Sequence, residues 1–205
     1  RATAIQDEIS HSVAMSNLGS NAYYLRQFEA ARRYFQASYD IDAAHNDRRR
    51  MAINLHNLAC VACDLHDWSI ALQIQQDALA LFTDVAQQEG TMHCRHNLAR
   101  IRLGLDELSE ARRHLKEAFQ IALQIGAMRD SLEICVTGAE LLRREGHFDR
   151  AAQVVGRVLH HSAATAVVKD DARTMLGKLD ADFVSIAETQ PENVPMTEIV
   201  AMIVG

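Results

Sequence analysis

Three stretches of the sequence align without gaps: SNLGSNAYYLRQFEAARRYFQAS at residues 16–38, HNLACVACDLHDWSIALQIQQDA at residues 56–78 and HNLARIRLGLDELSEARRHLKEA at residues 96–118. They begin at Ser16, His56 and His96, so the spacing between successive copies is constant. Self-similarity at one fixed period is typical of repeat proteins, in which a unit cannot bury its apolar face alone and must stack on its neighbours. The sequence therefore predicts a repeat array.

Small residues recur at two positions of this repeat, and a weaker fourth copy keeps their phase. The first position holds Gly19, Ala59, Ala99 and Ala139, and the second holds Ala31, Ala71, Ala111 and Ala151. Small side chains allow two helices to approach closely, so we predict one helix–turn–helix unit per repeat. The alanines of the second position should be buried at helix–helix contacts, where a larger side chain would overpack.

Apolar periodicity and helix breakers place the helices. We predict antiparallel helices near residues 3–25, 28–44, 48–65, 68–88, 91–105, 108–125, 128–145 and 148–161, followed by a ninth, capping helix near 166–187. The two prolines of TQPENVP then interrupt the helical pattern. A short apolar helix should follow, with Thr197 as its N-cap, and should fold back onto the ninth helix or meet another chain. These boundaries give a repeat domain over 1–187 and a terminal segment over 188–205.

Composition supports an all-α fold. Hydrophobic residues make up 48% of the 205 residues, aromatic residues only 5%, and there are two prolines. Ala, Leu, Arg, Gln and Glu dominate, and these residues favour helices. The net charge of −6 does not favour nucleic acid as a partner of this chain. The basic runs Arg32-Arg33, Arg48–Arg50 and Arg112-Arg113 are interpreted as solvated ion-pair faces.

The sequence also indicates where the protein works. No apolar run approaches the roughly 20 residues of a membrane span, and the first residues have no secretory signal. The four cysteines lie in predicted helices, which indicates reduced thiols in a cytoplasmic protein. Because the sequence starts at Arg1 and not at a methionine, we expect a piece of a longer polypeptide.

The pattern of small and bulky residues resembles the tetratricopeptide family. It is carried in the first copy by Leu18, Gly19, Phe28, Ala31 and Phe35, and in the third by Leu98, Ala99, Leu108, Ala111, Leu115 and Ala118. The period, 40 in residue numbers, is longer than the usual period of about 34 and is closer to HEAT and armadillo repeats, which stay the alternative. The tetratricopeptide resemblance implies a right-handed superhelical solenoid of about four repeats, whose first helices line a concave groove that binds proteins.

One asparagine per repeat, at Asn17, Asn57 and Asn97, precedes the repeated leucine of the first helix. An amide offers both donors and an acceptor, so such a ladder could hold an extended peptide by its backbone. Alternatively, each asparagine bonds to a neighbouring repeat and only shapes the array. If the ladder binds a ligand, the amides should lack intramolecular partners and face one channel.

Further groove candidates lie on the same predicted face: Tyr23, Tyr24, His56, Cys60, His93, His96 and Arg100. The histidines and thiols could ligate zinc, but CxxC occurs only once, so we predict no metal and no cofactor. The chain has no phosphate-binding loop, HExxH or GxSxG motif, and we predict that it is not an enzyme.

The C-terminal third resembles the end of bacterial signal-transducing ATPases and LuxR-type transcriptional regulators. The resemblance rests on GHFDRAAQVVGRVLHHSA at 146–163 and on ADFVSIAETQPENVPMTEIVAMIV at 181–204. It implies a sensor array that works with ATPase and effector domains upstream of this sequence.

Three functions follow from these patterns. The first is a scaffold that binds an extended peptide or a partner domain in its groove, as part of a larger bacterial regulatory protein. The second is an inducer-sensing domain that binds a small molecule. The third is a structural role with self-association through the C-terminal apolar helix.

Overall fold

A computed structural model describes the backbone of residues 2–205 and the side chains of residues 7–205. Arg1, which led us to expect a longer polypeptide, lies outside the described residues. Residues 2–205 form eleven helices and no strand, which confirms the predicted all-α, tetratricopeptide-like repeat fold. No helix among them combines the length and the hydrophobicity needed to cross a membrane.

The helices follow the repeat closely. Their bounds are α1 Ala2–Tyr24, α2 Phe28–Ala44, α3 Arg48–Asp64, α4 Trp68–Asp84, α5 Gln88–Gly104, α6 Leu108–Ile125, α7 Met128–Arg144, α8 Phe148–His160, α9 Ala166–Leu176, α10 Ala181–Glu188 and α11 Met196–Val204. From α2 to α8 the helices begin at a constant interval that is half of the sequence period. One sequence repeat is therefore two helices with their turns.

Each of the seven turns between α1 and α8 places one residue in the left-handed region of backbone space, again at repeat positions. These residues are Arg26, His66, Asp106 and Gly146 in the turns within hairpins, and Asn46, Ala86 and Gly126 in the turns between hairpins. Glycine and asparagine adopt this conformation readily, whereas a residue such as alanine is strained in it. Five of these seven turns therefore close without glycine.

Three predicted boundaries are wrong, each for a local reason. The turn between α4 and α5 lies at residues 85–87, not at 89–90, because Ala86 adopts a φ of 52° and gives no breaker signal in the sequence. The predicted ninth helix is two helices, α9 and α10, which are separated by residues 177–180. The last helix begins at Met196 after Pro195, so Thr197 lies inside the helix and does not cap it.

The chain divides into two compact units, residues 1–105 and residues 106–205. In the first unit, helices α1 to α5 pack in sequence order, each against the next. In the second, α6, α7 and α8 pack in order, and α9 and α10 pack on α8. Helix α11 packs against α6, α7 and α8, and not principally on the predicted ninth helix. The boundaries 1–187 and 188–205 stay a prediction.

The small residues of the repeat are buried as predicted. Ala31, Ala71, Ala111 and Ala151 are all fully inaccessible to solvent. In the first hairpin, Gly19 lies so close to the ring of Phe35 that a Cβ there would come within 2.6 Å of it. The buried alanines confirm the register of the four copies.

Between α1, α2 and α3 the core contains a buried carboxylate. Asp42 is fully buried and accepts hydrogen bonds from Ser12 Oγ at 2.6 Å and from Asn54 Nδ2 at 2.8 Å. Arg50 Nε lies 3.1 Å from the same carboxylate, so this arginine is not part of a solvated face as predicted. In the next copy, an apolar cluster takes this place, formed by Ala52, Ala78, Phe82 and Cys94. A buried charge of this kind is tolerated because its partners are in place.

Replacing Ala71 by leucine should destabilise the fold by about 1–3 kcal/mol, because the inserted side chain has no space between α3 and α4. The control is Ala80→Leu on the same helix, since residue 80 is exposed and tolerates the larger side chain. Urea unfolding followed by circular dichroism measures both variants. Equal unfolding free energies for the two would contradict the assigned register.

Replacing Ala86 by glycine should raise the free energy of unfolding by roughly 0.5–1 kcal/mol, because it relieves the strain of a left-handed alanine. Ala80→Gly, within the regular part of α4, should instead lower it by about 1 kcal/mol. The same unfolding measurement decides the sign. A loss of stability in both variants would show that Ala86 is not strained.

Candidate partner-binding surface

The first helices of the unit at residues 1–105, which are α1, α3 and α5, place polar side chains at matching repeat positions. The repeat aligns Ser16 with His56 and His96, Asn17 with Asn57 and Asn97, and Ser20 with Cys60 and Arg100. Hydrogen bonds, an ion pair and ring contacts connect several of the ten predicted site residues on these helices, among them Tyr23, His56 and Arg100. We call the set formed by Tyr23, His56, Cys60, Asp64 and Arg100 the polar cluster.

An ion pair and a phenol link all three helices. Tyr23 Oη donates to Asp64 Oδ2 at 2.5 Å, and Arg100 Nη2 donates to Asp64 Oδ1 at 2.7 Å. Burial, with Cys60 and Asp64 nearby, raises the pKa of Tyr23, so its phenol stays protonated and remains a donor. One carboxylate on α3 therefore joins α1 to α5, and the positive charge of Arg100 is balanced inside the cluster.

His56 lies between a thiol and a buried amide. Its Nδ1 is 3.2 Å from Gln75 Oε1, and its Nε2 is 3.6 Å from Cys60 Sγ. Because a carbonyl oxygen can only accept, Nδ1 is the donor in its contact with Gln75, and the other ring nitrogen, Nε2, faces the thiol. Burial raises the pKa of Cys60 to about 11, and that of Cys63 likewise to about 11. Both sulfurs are therefore thiols at neutral pH and weak nucleophiles.

Gln75, on α4, is a residue that the sequence analysis did not single out. It is fully buried, and its Oε1 also accepts from Asn97 Nδ2 at 2.7 Å, while its Nε2 has no hydrogen-bond partner in the described structure. The equivalent positions in the neighbouring copies hold Phe35 and Leu115, both buried. In the alignment of the copies, this glutamine stands at a position that is otherwise apolar, and that departure could have identified Gln75 as a special residue.

The three asparagines are not equivalent. Asn17 is exposed, Asn57 is half-buried and Asn97 is buried. Asn97 donates to Gln75, and its Oδ1 accepts from Arg100 Nη1 at 3.2 Å. The side chain of Asn57 makes no hydrogen bond among the described residues, since the preceding copy holds the apolar Phe35 at the position equivalent to Gln75. Of the two conditions set for a ladder, the absence of an intramolecular partner is met at Asn57 and not at Asn97, and the ladder stays a prediction.

The remaining candidates lie around this core. The His56 and His93 rings are 6.2 Å apart, and His96 lies on the same helix as His93. Burial, followed by Arg100, His93 and His56, lowers the pKa of His96 to about 3, so its ring is neutral at physiological pH. Tyr24 is 81% exposed and packs edge-on against Tyr23. It is the most exposed aromatic side chain of this surface.

The polar cluster is not arranged as a metal site. Among residues 7–205, no group of three or more His, Cys, Asp or Glu side chains is placed to hold a metal ion. The described cysteines are free thiols, of which only Cys60 is partly exposed. What the cluster offers is a set of hydrogen-bonding side chains around one balanced ion pair.

The two neighbouring copies that contribute most of these side chains also lie in the part of the chain that resembles a known family. Residues 50–124 match the tetratricopeptide repeat family. Tetratricopeptide repeats generally mediate protein–protein interaction and form a non-catalytic fold. No curated protein matches the chain. The tetratricopeptide match does not extend to the C-terminal third, whose resemblance to ATPase-type regulators stays a hypothesis.

His96 should make the fold sensitive to acid. Its pKa in the folded state, about 3, is lower than the ordinary value of 6.5. As the pH falls below about 6.5, the unfolded chain takes up a proton that the folded chain does not, so stability falls by about 1.4 kcal/mol per pH unit from this group. Above that pH the ring is neutral in both states and the contribution is constant.

The His96→Gln variant should therefore show a flatter decline of unfolding free energy between pH 6.5 and 4.5, measured by urea unfolding at a series of pH values. The control is His66→Gln, which removes a histidine from an exposed turn outside the cluster. If His96→Gln and wild type decline with the same slope, His96 is not neutral in the folded protein.

Proposed function

We propose that the surface formed by α1, α3 and α5 binds an extended segment of a protein partner, and that the chain serves as a scaffold. The proposal rests on one observation above all: next to His56 of the polar cluster, Asn57 presents an amide that has no hydrogen-bond partner among the side chains and backbone of residues 7–205. An extended peptide has N–H and C=O groups in alternation, and a single amide side chain can pair with both.

The neighbouring contacts fit this function. Asn17 is exposed at the equivalent position of α1, so a second amide stands accessible at the matching position of the preceding copy. Tyr24, on the same helix, offers a large exposed aromatic side chain, and such residues often anchor partners. Asn97 has the separate role of holding α5 to α4 through Gln75.

The charges of this surface favour an uncharged peptide backbone as the ligand over an anionic ligand. Arg100 is already paired with Asp64, and His96 is neutral. The chain as a whole carries a net charge of −6. A polyanion such as nucleic acid would gain little from this surface, whereas the hydrogen-bonding groups of a peptide match it.

The wider setting is also proposed. We place the chain in a larger bacterial regulatory protein of the cytoplasm, where upstream ATPase or effector domains could supply the bound segment. The C-terminal sequence resemblance and the four free thiols support this setting.

Peptides selected from a random phage-displayed library against the full chain provide the probe. Asn57→Ala should weaken their binding by about 0.5–1.5 kcal/mol per lost hydrogen bond, or roughly threefold to tenfold, with little change in melting temperature. Fluorescence anisotropy and thermal melts on the same samples measure both. The matched control, Asn97→Ala, should lower the melting temperature because it breaks the contact with Gln75.

A large loss of stability in Asn57→Ala with unchanged peptide affinity would show that this asparagine only shapes the array. A second control, Lys116→Ala on the exposed face of α6, should change neither property. If Lys116→Ala weakens the selected peptides as much as Asn57→Ala, the peptides bind elsewhere.

A further inference from the structure

The C-terminal helix α11 occupies a slot on the unit at residues 106–205. Its apolar side chains Met196, Ile199 and Ile203 are buried, while Thr197 and Glu198 face solvent. The slot is lined by Arg112 of α6, by Cys135, Gly138 and Glu145 at or next to α7, and by Arg150 of α8; we call it the α11 slot. One expectation was that the apolar face of this C-terminal helix mediates self-association. In the structure, that face is covered by other helices of the same chain.

The slot exists because one repeat position is occupied by glycine in the fourth copy. The first three copies hold leucine at this position, as Leu18, Leu58 and Leu98, whereas the fourth holds Gly138. Ile203 fills the space: a Cβ on residue 138 would lie 2.6 Å from its Cδ1. An isoleucine from another helix thereby supplies the apolar volume that the repeat omits.

Two arginines hold the carboxyl end of α11. Arg112 Nη1 donates to the carbonyl oxygen of Ile203, and Arg150 Nη2 donates to that of Met202. The last carbonyls of a helix have no partners within the helix and carry the negative end of its dipole, so cations there are favourable. Arg112 also pairs with Glu145, which fixes its direction. Arg112 is therefore a helix-binding residue, not part of a solvated face as predicted.

At the amino end, Cys135 Sγ lies 3.7 Å from Met196 Sδ in the buried interior. All these contacts are made by side chains of α11 or by its carbonyl oxygens. None of them depends on the peptide connection that joins α11 to α10. Residues 189–195 form that connection, with Pro191 and Pro195 in it and Asn193 at a φ of 52°.

We propose that the α11 slot is a helix-binding site that also accepts α11 from a second copy of this chain, giving a dimer by exchange of C-terminal helices. The slot determines which helix it can accept. Its occupant must supply an isoleucine that fills the space at Gly138 and two free helix-end carbonyl groups that accept from Arg112 and Arg150. Because the same contacts form in either arrangement, exchange loses none of them, and the connection that would have to change course is short and contains two prolines. The site is independent of the surface formed by α1, α3 and α5.

Two full-length variants test the exchange by complementation. Gly138→Leu restores the side chain of the other copies and blocks the slot, but keeps a normal α11. Ile203→Asp keeps an open slot but cannot bury its own α11. Each protein alone should be monomeric, and a mixture should form a one-to-one complex of twice the 22.9 kDa chain mass, measured by light scattering after size exclusion.

A mixture that stays monomeric, with both variants helical by circular dichroism, would overturn the proposal. So would a dimer of Gly138→Leu alone, because its slot is closed.

Should Ile203→Asp not fold, Ile203→Ala replaces it, and a fluorescein-labelled peptide of residues 195–205 is the probe. That peptide should bind Ile203→Ala at least about tenfold more tightly than it binds Gly138→Leu, and also more tightly than wild type, whose tethered α11 competes. Equal or absent binding in the three proteins contradicts a helix-binding slot.

Discussion

The close approach of neighbouring helices at Ala31, Ala71, Ala111 and Ala151 is the constraint on which the architecture depends. One helix hairpin cannot bury its apolar face by itself, so it must pack on the next hairpin. The distance at which it packs is limited by the largest side chain at the contact. Because these four positions are fully buried alanines, neighbouring helices within each of the two units can approach closely at equivalent repeat positions. The constant interval between helix starts then brings equivalent residues of α1, α3 and α5 to one surface.

Three positions depart from the repeat pattern, and each of them makes a contact that its equivalents in the other copies do not make. Asp42 stands where the next copy has Phe82, and its carboxylate is held by neighbouring donors. Gln75 is a buried hydrogen-bond acceptor at a repeat position that is apolar in the neighbouring copies. It binds Asn97, whereas Asn57 has no equivalent acceptor. Gly138 removes a side chain, and Ile203 from α11 fills the space, since an unfilled gap of this size would cost stability. One substitution thus converts a position of the repeat into a site for another helix.

The sequence by itself determined the all-α class, the period, the buried alanines and most helix bounds, because these depend on side-chain size and apolar spacing along the chain. It also placed most candidate residues on one face. It did not determine the turn at Ala86 or the break at residues 177–180 between α9 and α10, because alanine rarely adopts a left-handed conformation and the apolar spacing continues across the break.

The tertiary structure alone decided which polar groups are satisfied. Asn57 and Asn97 are identical in type and repeat position, yet only Asn97 meets Gln75, since the partner lies on a different helix. Likewise, nothing local in MTEIVAMIV indicates that Ile203 fills a gap at Gly138, which lies four helices earlier in the chain. Periodicity predicts which face of a helix is buried, but the atoms that cover that face are chosen by contacts distant in sequence.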